Sequence, residues 1–160
     1  MIALDDPATV AFLHSGCALL VSTVDGDGMP HAGRAWGLTV VDAGTGLLRV
    51  LLEADDAVTV ANVYAARPIA VTATNVTNFH SVQLKGHPVS VEVRTPVDEA
   101  KQIQYTTDFL EDVHEANSYA IDLMERWADR PVVPCLITVD SSFDQTPGPS
   151  AGVAIDRTAL

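Results

Sequence analysis

The stretch "CALLVSTVDGDGMPHAGRAWGLTVVDAGTGLLRVLLEA", Cys17–Ala54, decides how this chain is read. It holds three apolar runs, separated by "GDGMP" (Gly26–Pro30) and "AGTG" (Ala43–Gly46). Clusters of Gly, Pro and Asp supply the tight backbone conformations of turns, so both separators read as turns. Cys17 to Asp25 is then a buried strand, His31 to Asp42 a second and Leu47 to Ala54 a third. Two strand–turn–strand units in succession predict an antiparallel meander.

Reading outward, Ala8 to His14 forms a short opening helix with Val10 and Leu13 on one side. After the meander, Asp55 to Arg67 mixes signals: Val58, Thr59, Val60 and Val63 favour strand, whereas Val58, Ala61 and Tyr64 recur at helical spacing. Asp55 can cap a first turn and Pro68 stops the segment, so a helix is expected. Ile69 to Asn75 and Ser81 to Val93 are strands. In the latter, Val82, Leu84, Val89, Val91 and Val93 alternate with Gln83, Lys85, Ser90 and Glu92, the mark of a two-faced sheet, and Gly86 with Pro88 reads as a bulge. Thr95, Pro96, Asp98 and Glu99 open a helix whose apolar face is Ile103, Leu110 and Val113. Ser118 caps a further helix with Ile121, Met124 and Ala128 on one side, ended by Pro131, and Val132 to Phe143 is the last strand. With no repeat and no linker, residues 1–160 read as one domain. The layout is mainly β with late helices, which suggests a small antiparallel barrel or sheet with helices at its edge.

Composition narrows the function. The net charge is −12, with Lys85 and Lys101 the only lysines. Nucleic-acid and anionic-membrane binding need clustered cations, and the sequence has no such cluster. No apolar run approaches the ~18 residues of a membrane helix, and the start "MIALDDPATVAF" lacks the basic and apolar regions of a signal peptide. A soluble cytoplasmic protein is expected. At 48% hydrophobic residues, part of the apolar surface is expected at a subunit interface.

Candidate chemistry is sparse. His14 and Cys17 form an H-x-x-C pair with no second pair to complete a metal site. Cys17 and Cys135 lie in apolar runs and read as buried free thiols. No G-x-S-x-G, Walker or G-x-G-x-x-G motif occurs. The adjacent carboxylates Asp5/Asp6, Asp55/Asp56, Asp98/Glu99 and Glu111/Asp112 suit helix starts and surfaces. What remains is a set of polar groups at strand spacing: Arg34 with Trp36, Thr72 with Thr74, and Ser81, Gln83 and Lys85. A planar heteroaromatic ligand needs an apolar wall and a few such contacts. "QTPGPSAG" (Gln145–Gly152) has two prolines that remove backbone donors, so it reads as a stiff exit from the last strand, beside the pocket, with Gln145 its one ligand contact.

The order of these pieces resembles the FMN-binding split-barrel superfamily that includes pyridoxamine 5'-phosphate oxidase. The pieces are the "ST-x-D-x-x-G-x-P" hairpin (Ser22–Pro30), the helix after strand three, and the "VQLKG" strand (Val82–Gly86). The resemblance runs from Ala8 to Val93, and the closing strand extends it to about Gly152. It implies a six-stranded antiparallel split barrel with peripheral helices, a homodimer, and FMN at the dimer interface. It also implies a basic residue for the flavin phosphate, matched by Arg34, with Trp36, Gly37 and Leu38 running along the ring. Ser81 and Gln83, with Lys85, match the strand that approaches the flavin, and Thr59 and Asn62 are the donors left for the phosphate or ribityl chain. Where relatives carry a Ser-Arg-Lys-like triplet, this chain has Ala57, Val58 and Thr59, with Glu53, Asp55 and Asp56 nearby. The oxidase's substrate-binding tryptophan and arginine have no match near the carboxy terminus, so pyridoxamine phosphate oxidation is not expected. The expected function is a flavin-dependent oxidoreductase on a small molecule, with a nicotinamide nucleotide as electron donor. The alternatives are a non-catalytic small-ligand-binding dimer and a structural dimer with an empty groove.

Overall fold

Asx geometry makes the two turns that organise the meander. In the first, Asp25 Oδ1 accepts from Asp27 N at 2.8 Å and Met29 N at 2.9 Å. Gly28 sits at φ 81°, a conformation that favours glycine. In the second, Asp42 Oδ1 accepts from Gly44 N at 2.9 Å. These turns join β1 (Ala18–Val24) to β2 (Pro30–Asp42) and β2 to β3 (Leu47–Glu53). The structure, a computed structural model, describes residues 4, 6–118 and 130–155. The helix expected after Ser118, with Ile121, Met124 and Ala128, lies outside the described residues.

Six antiparallel strands close into a barrel in the order β1-β2-β3-β6-β5-β4, where β4 is Ile69–Thr74, β5 Ser81–Val91 and β6 Val132–Asp144. This is the expected mainly β architecture with peripheral helices. Alternation decides which side chains fill the interior: Leu19 and Val21 of β1, Val71 and Ala73 of β4, and Val82 and Leu84 of β5 are all buried. Leu48, Val50, Cys135 and Ile137 complete the core from β3 and β6. Both cysteines are buried free thiols, and burial pushes each thiol pKa up to about 11.

Among the described residues, three helices dress the barrel. The first, α1 (Pro7–Leu13), is capped by Asp6, which accepts from Thr9 N at 3.0 Å. The second, α2 (Ala57–Tyr64), starts later than expected because the cap is Asp56 rather than Asp55. Its carboxylate accepts from Thr59 N at 3.1 Å and Thr59 Oγ1 at 2.6 Å. The helical spacing of Val58, Ala61 and Tyr64 does mark a helix here, but those residues face solvent, whereas Thr59, Asn62 and Val63 are buried.

The third, α3 (Pro96–Asn117), opens on the expected capping box of Thr95 and Asp98. Of the expected face, Leu110 is buried and Val113 packs against the core, but Ile103 is exposed. The buried stripe is Asp98, Gln102, Tyr105, Phe109 and Leu110. Polar anchors rotate the helix to that face. Asp98 takes Arg49 of β3 through Nε to Oδ1 at 2.5 Å and Nη2 to Oδ2 at 2.9 Å. Tyr105 Oη donates to the Cys17 carbonyl at 3.0 Å, and Gln102 Nε2 to the Arg130 carbonyl at 2.8 Å. A face chosen from apolar spacing alone cannot anticipate these bonds. Among the described residues, no helix is long and apolar enough to cross a membrane.

"QTPGPSAG" does not leave the barrel as a straight exit. It reverses the chain: Gly152 N donates to the Asp144 carbonyl at 2.7 Å, and Ile155 N to the Ser142 carbonyl at 2.8 Å. Ala154 then bridges Phe143. Residues 153–155 thus pair beside the end of β6, beyond the last β6 residue that pairs with β3.

Candidate functional site

Register places the expected site residues on the barrel wall. Arg34 of β2 pairs with Leu20 of β1, and Leu20 with Thr72 of β4. Thr72 pairs with Gln83 of β5, and Gln83 with Phe143 of β6. Directly paired residues share a face, so these five form one row across the outside of five strands. The row beside it runs Ala32–Ser22–Ala70–Lys85–Ser141. The second row carries the small residues Ala32, Ser22 and Ala70, the first carries Leu20 and Thr72 between Arg34 and Gln83, and Leu20, Ser22 and Ala32 are exposed. This is an open, nearly flat patch with Arg34 at one side and Gln83 and Lys85 at the other.

Arg34 is held on that patch by aromatic faces. Its guanidinium carbon lies 5.0 Å from the Trp36 ring centroid and 5.2 Å from that of Phe109 on α3. Cation–π attraction of this kind keeps the charge while shedding water. Arg34 Nε is buried and has no hydrogen-bond partner, one of two such side-chain atoms among the described residues. A buried donor left unpaired costs ~1–3 kcal/mol, so it invites an external acceptor. Trp36 itself is covered, its Nε1 3.5 Å from Glu53 Oε2. Gly37 is packed against Leu51 and Lys101, and Leu38 points into the core. Trp36 and Gly37 fall in a register shift of the β2–β3 ladder, so this segment is irregular rather than plain strand.

Ser81, Gln83 and Gln145 do come together on the other side. Gln83 Nε2 donates to Thr72 Oγ1 at 3.0 Å, and Gln145 Nε2 lies 3.5 Å from Gln83 Oε1. Ser81 Oγ is 2.9 Å from Thr74 Oγ1, and Ser81 N donates to Thr146 Oγ1 at 3.1 Å. Lys85 Nζ sits 4.7 Å from the Phe143 ring centroid.

Thr59 and Asn62 stand apart from both sides. They are buried where α2 packs on the barrel, and their donors are taken: Thr59 Oγ1 by Asp56, and Asn62 Nδ2 by Thr23 Oγ1 at 2.9 Å. Gly33 lets α2 approach this closely, since a Cβ there would lie 2.1 Å from Asp56 Oδ2. His31 Nε2 meets Asp56 Oδ1 at 2.8 Å. Burial opposes ionisation of Asp56, but the Thr59 hydrogen bonds and His31 outweigh it and hold the carboxyl below its ordinary range. A carboxylate therefore fills the α2 N-terminus where a phosphate cradle would need free donors. Sequence reasoning missed Phe109 and Tyr105, whose part in walling Arg34 depends on how α3 docks.

Comparison with solved structures sharpens the fold. A protein called HupZ from Group A Streptococcus superposes with a TM-score of 0.56 at 16% identity, covering 92% of this chain and 99% of that one. An FMN-binding protein from Syntrophomonas wolfei gives 0.56 at 9% identity, covering 96% and 88%. A candidate pyridoxamine 5'-phosphate oxidase from Lactobacillus delbrueckii gives 0.54 at 16% identity, covering 86% and 92%. This chain has the split-barrel fold of these structures. No protein-family model matches the sequence, and no curated protein matches it. At these identities the likeness carries the split-barrel architecture; what the barrel wall binds must be argued from Arg34, Gln83 and their neighbours.

Proposed function

We propose that this split barrel binds FMN on the patch between Arg34 and Gln83, as a homodimer, and serves as a flavin-dependent oxidoreductase acting on a small molecule. The observation that carries the reading is the orphaned Arg34 Nε beside an open row of small residues. A planar ring suits such a patch, and an unpaired cationic donor suits a phosphate or a ring oxygen. Arg34 would take the acceptor and Ser81, Gln83 and Gln145 the far ring edge, whereas Trp36, Gly37 and Leu38 are covered in this chain and would support Arg34 from behind. Lys85 adds positive charge beside it. When bound, FMN supplies hydride transfer, with a nicotinamide nucleotide as its electron donor. The similarity to an FMN-binding split barrel supports the assignment.

The test is an FMN titration of purified protein, read by flavin absorbance and fluorescence. Arg34→Gln is expected to weaken FMN about tenfold or more, the loss of one charge-assisted hydrogen bond. No FMN binding by the wild-type protein defeats the proposal.

One observation favours a second reading, binding without turnover. At the start of α2 the Thr59 donors are committed to Asp56, with Glu53 and Asp55 close in sequence, and further along the helix Asn62 Nδ2 donates to Thr23 Oγ1. Weak phosphate capture follows from that arrangement. If FMN binds but neither NADH nor NADPH bleaches it anaerobically, the binding-only reading is the one that stands.

A further inference from the structure

One edge of β2 loses its strand partner part-way along. β2 pairs with β1 only through Pro30–Arg34, and with β3 on its other edge through Ala35–Asp42. Past Arg34, the edge that faced β1 has no strand beside it, and a backbone donor there needs another acceptor. Val40 N finds one in a side chain, donating to His14 Nε2 at 2.9 Å. His14 is the C-cap of α1, so this bond ties the end of the helix to the barrel.

The bond depends on charge state. A ring nitrogen that accepts carries no hydrogen, so His14 is neutral with its hydrogen on Nδ1. An imidazolium has a hydrogen on both nitrogens and accepts at neither. Protonation therefore breaks the bond and leaves Val40 N facing a second donor. His31 and His87 differ in kind: they meet Asp56 and Asp140, partners that suit a charged ring.

The surroundings oppose the charge as well. On α3, Lys101 Nζ donates to the His14 carbonyl at 3.2 Å, which brings an ammonium near the ring. Pro7–Leu13 of α1 holds no charged side chain, and Asp6 at the far end is bound to Ala8 N and Thr9 N. On β2, Asp42 accepts from Gly44 N and Thr45 N, and Arg34 lies between the Trp36 and Phe109 rings. Arg49 of β3 is paired with Asp98 and Glu92. Further along α3, Asp108 acts on Lys101 and Asp112 on Cys17. Burial, and after it Lys101, hold the His14 imidazole below its ordinary 6.5.

We propose that His14 is an acid-sensitive latch: neutral, it holds the end of α1 on the open edge of β2, and protonated, it lets that junction open. The sign follows from linkage. The latched state takes up the proton less readily than the open one, so the latch is complete above about pH 6.5 and weakens as pH falls below it. One unit below that value the junction opens about tenfold more often. Leu13 is buried in the core and anchors α1 independently, so the opening is local. α1 also sets Phe12 against His80, ring centroids 4.8 Å apart, and His80 Nδ1 lies 3.2 Å from Thr146 Oγ1 beside Ser81. The latch does not rest on the flavin assignment.

Hydrogen exchange of the full chain, read by NMR at pH 7 and about pH 5.5 and corrected for intrinsic rates, tests the latch. Protection at Val40 N and His14 N should fall about tenfold at the lower pH relative to amides of β4. His14→Gln offers an oxygen acceptor of similar reach that does not titrate, so it should keep protection at pH 7 and flatten the profile. His14→Leu should lose protection at both pH values. His80→Gln, at the exposed histidine that Phe12 touches, should keep the wild-type profile. A Val40 amide indifferent to pH in the wild type overturns the proposal, as does a profile that survives in His14→Gln or vanishes in His80→Gln. So does nitrogen NMR placing the His14 hydrogen on Nε2 at pH 7, a measurement that stands even if His14→Leu does not fold. None of these readouts needs a ligand, so a failure of FMN to bind leaves them intact.

Discussion

Asp98→Asn tests the claim that one ion-pair cluster seats α3, and with it the aromatic wall over Arg34. Asp98 is buried, its side chain only 3% exposed, and it accepts two bonds from Arg49. The Arg49 hydrogen bonds hold its carboxyl from an ordinary 3.8 down to about 2, against the opposing effect of burial. A shift of roughly two units at 1.36 kcal/mol each corresponds to about 2.5 kcal/mol. Asparagine keeps the shape and, through its one oxygen, the Thr95 cap acceptor, but it loses the charge and sets an NH2 donor against Arg49 Nε. The sign follows from linkage: a depressed carboxyl stabilises above the unfolded pKa, and that stabilisation is lost as pH falls through the folded one. Urea unfolding at pH 7, followed by circular dichroism, should show Asp98→Asn less stable by about 2–3 kcal/mol, with Tm lower by about 5–10 °C. The gap should close as pH falls from about 4 to about 2. Arg49→Met should cost more than Arg49→Met with Asp98→Asn, because the single change strands a buried carboxylate. A gap under about 0.5 kcal/mol at pH 7, or one that persists at pH 2, refutes the reasoning.

Other expectations follow from local geometry. Gly86→Ala must move backbone at Thr138, so it should cost upward of about 2 kcal/mol in urea unfolding and disturb the His87–Asp140 pair, visible as changed chemical shifts of the His87 ring at fixed pH. Asp56→Ala removes the α2 cap, the Thr59 bonds and the His31 partner together, for a loss of about 1–2 kcal/mol in the same assay. Cys17 and Cys135, with thiols pushed up to about 11 by burial, should resist iodoacetamide at pH 7.5 in native protein and react fully once unfolded; native reaction at the unfolded rate contradicts their burial.

The strands were legible because their signals are local. Alternation in Ser81–Val91, the Asx turns at Asp25 and Asp42, and the Thr95–Asp98 capping box each lie within a few residues of sequence. Pro68 and Pro96 marked boundaries by what their rings forbid. The candidate site was legible only residue by residue. Arg34, Ser81, Gln83 and Lys85 could be named from strand spacing and Gln145 from the stretch after the last strand, but nothing in that spacing says that Arg34 and Gln83 lie on one continuous row. Row membership depends on which strands pair, and β1 joins β2 to β4 only when the barrel closes. The same holds for Thr59 and Asn62, whose donors look available in sequence and are taken by Asp56 and Thr23 in three dimensions.

The sequence by itself thus determined the strands, the turns, the Thr95–Asp98 capping box and the sign of the charge, all of which depend on neighbours along the chain. Tertiary structure alone decided the face α3 presents, the reversal at "QTPGPSAG", the orphaned Nε of Arg34 and the bond from Val40 to His14. Those follow from contacts between residues far apart in sequence, such as Arg49 with Asp98 and Gln83 with Gln145, whose energies no local pattern encodes.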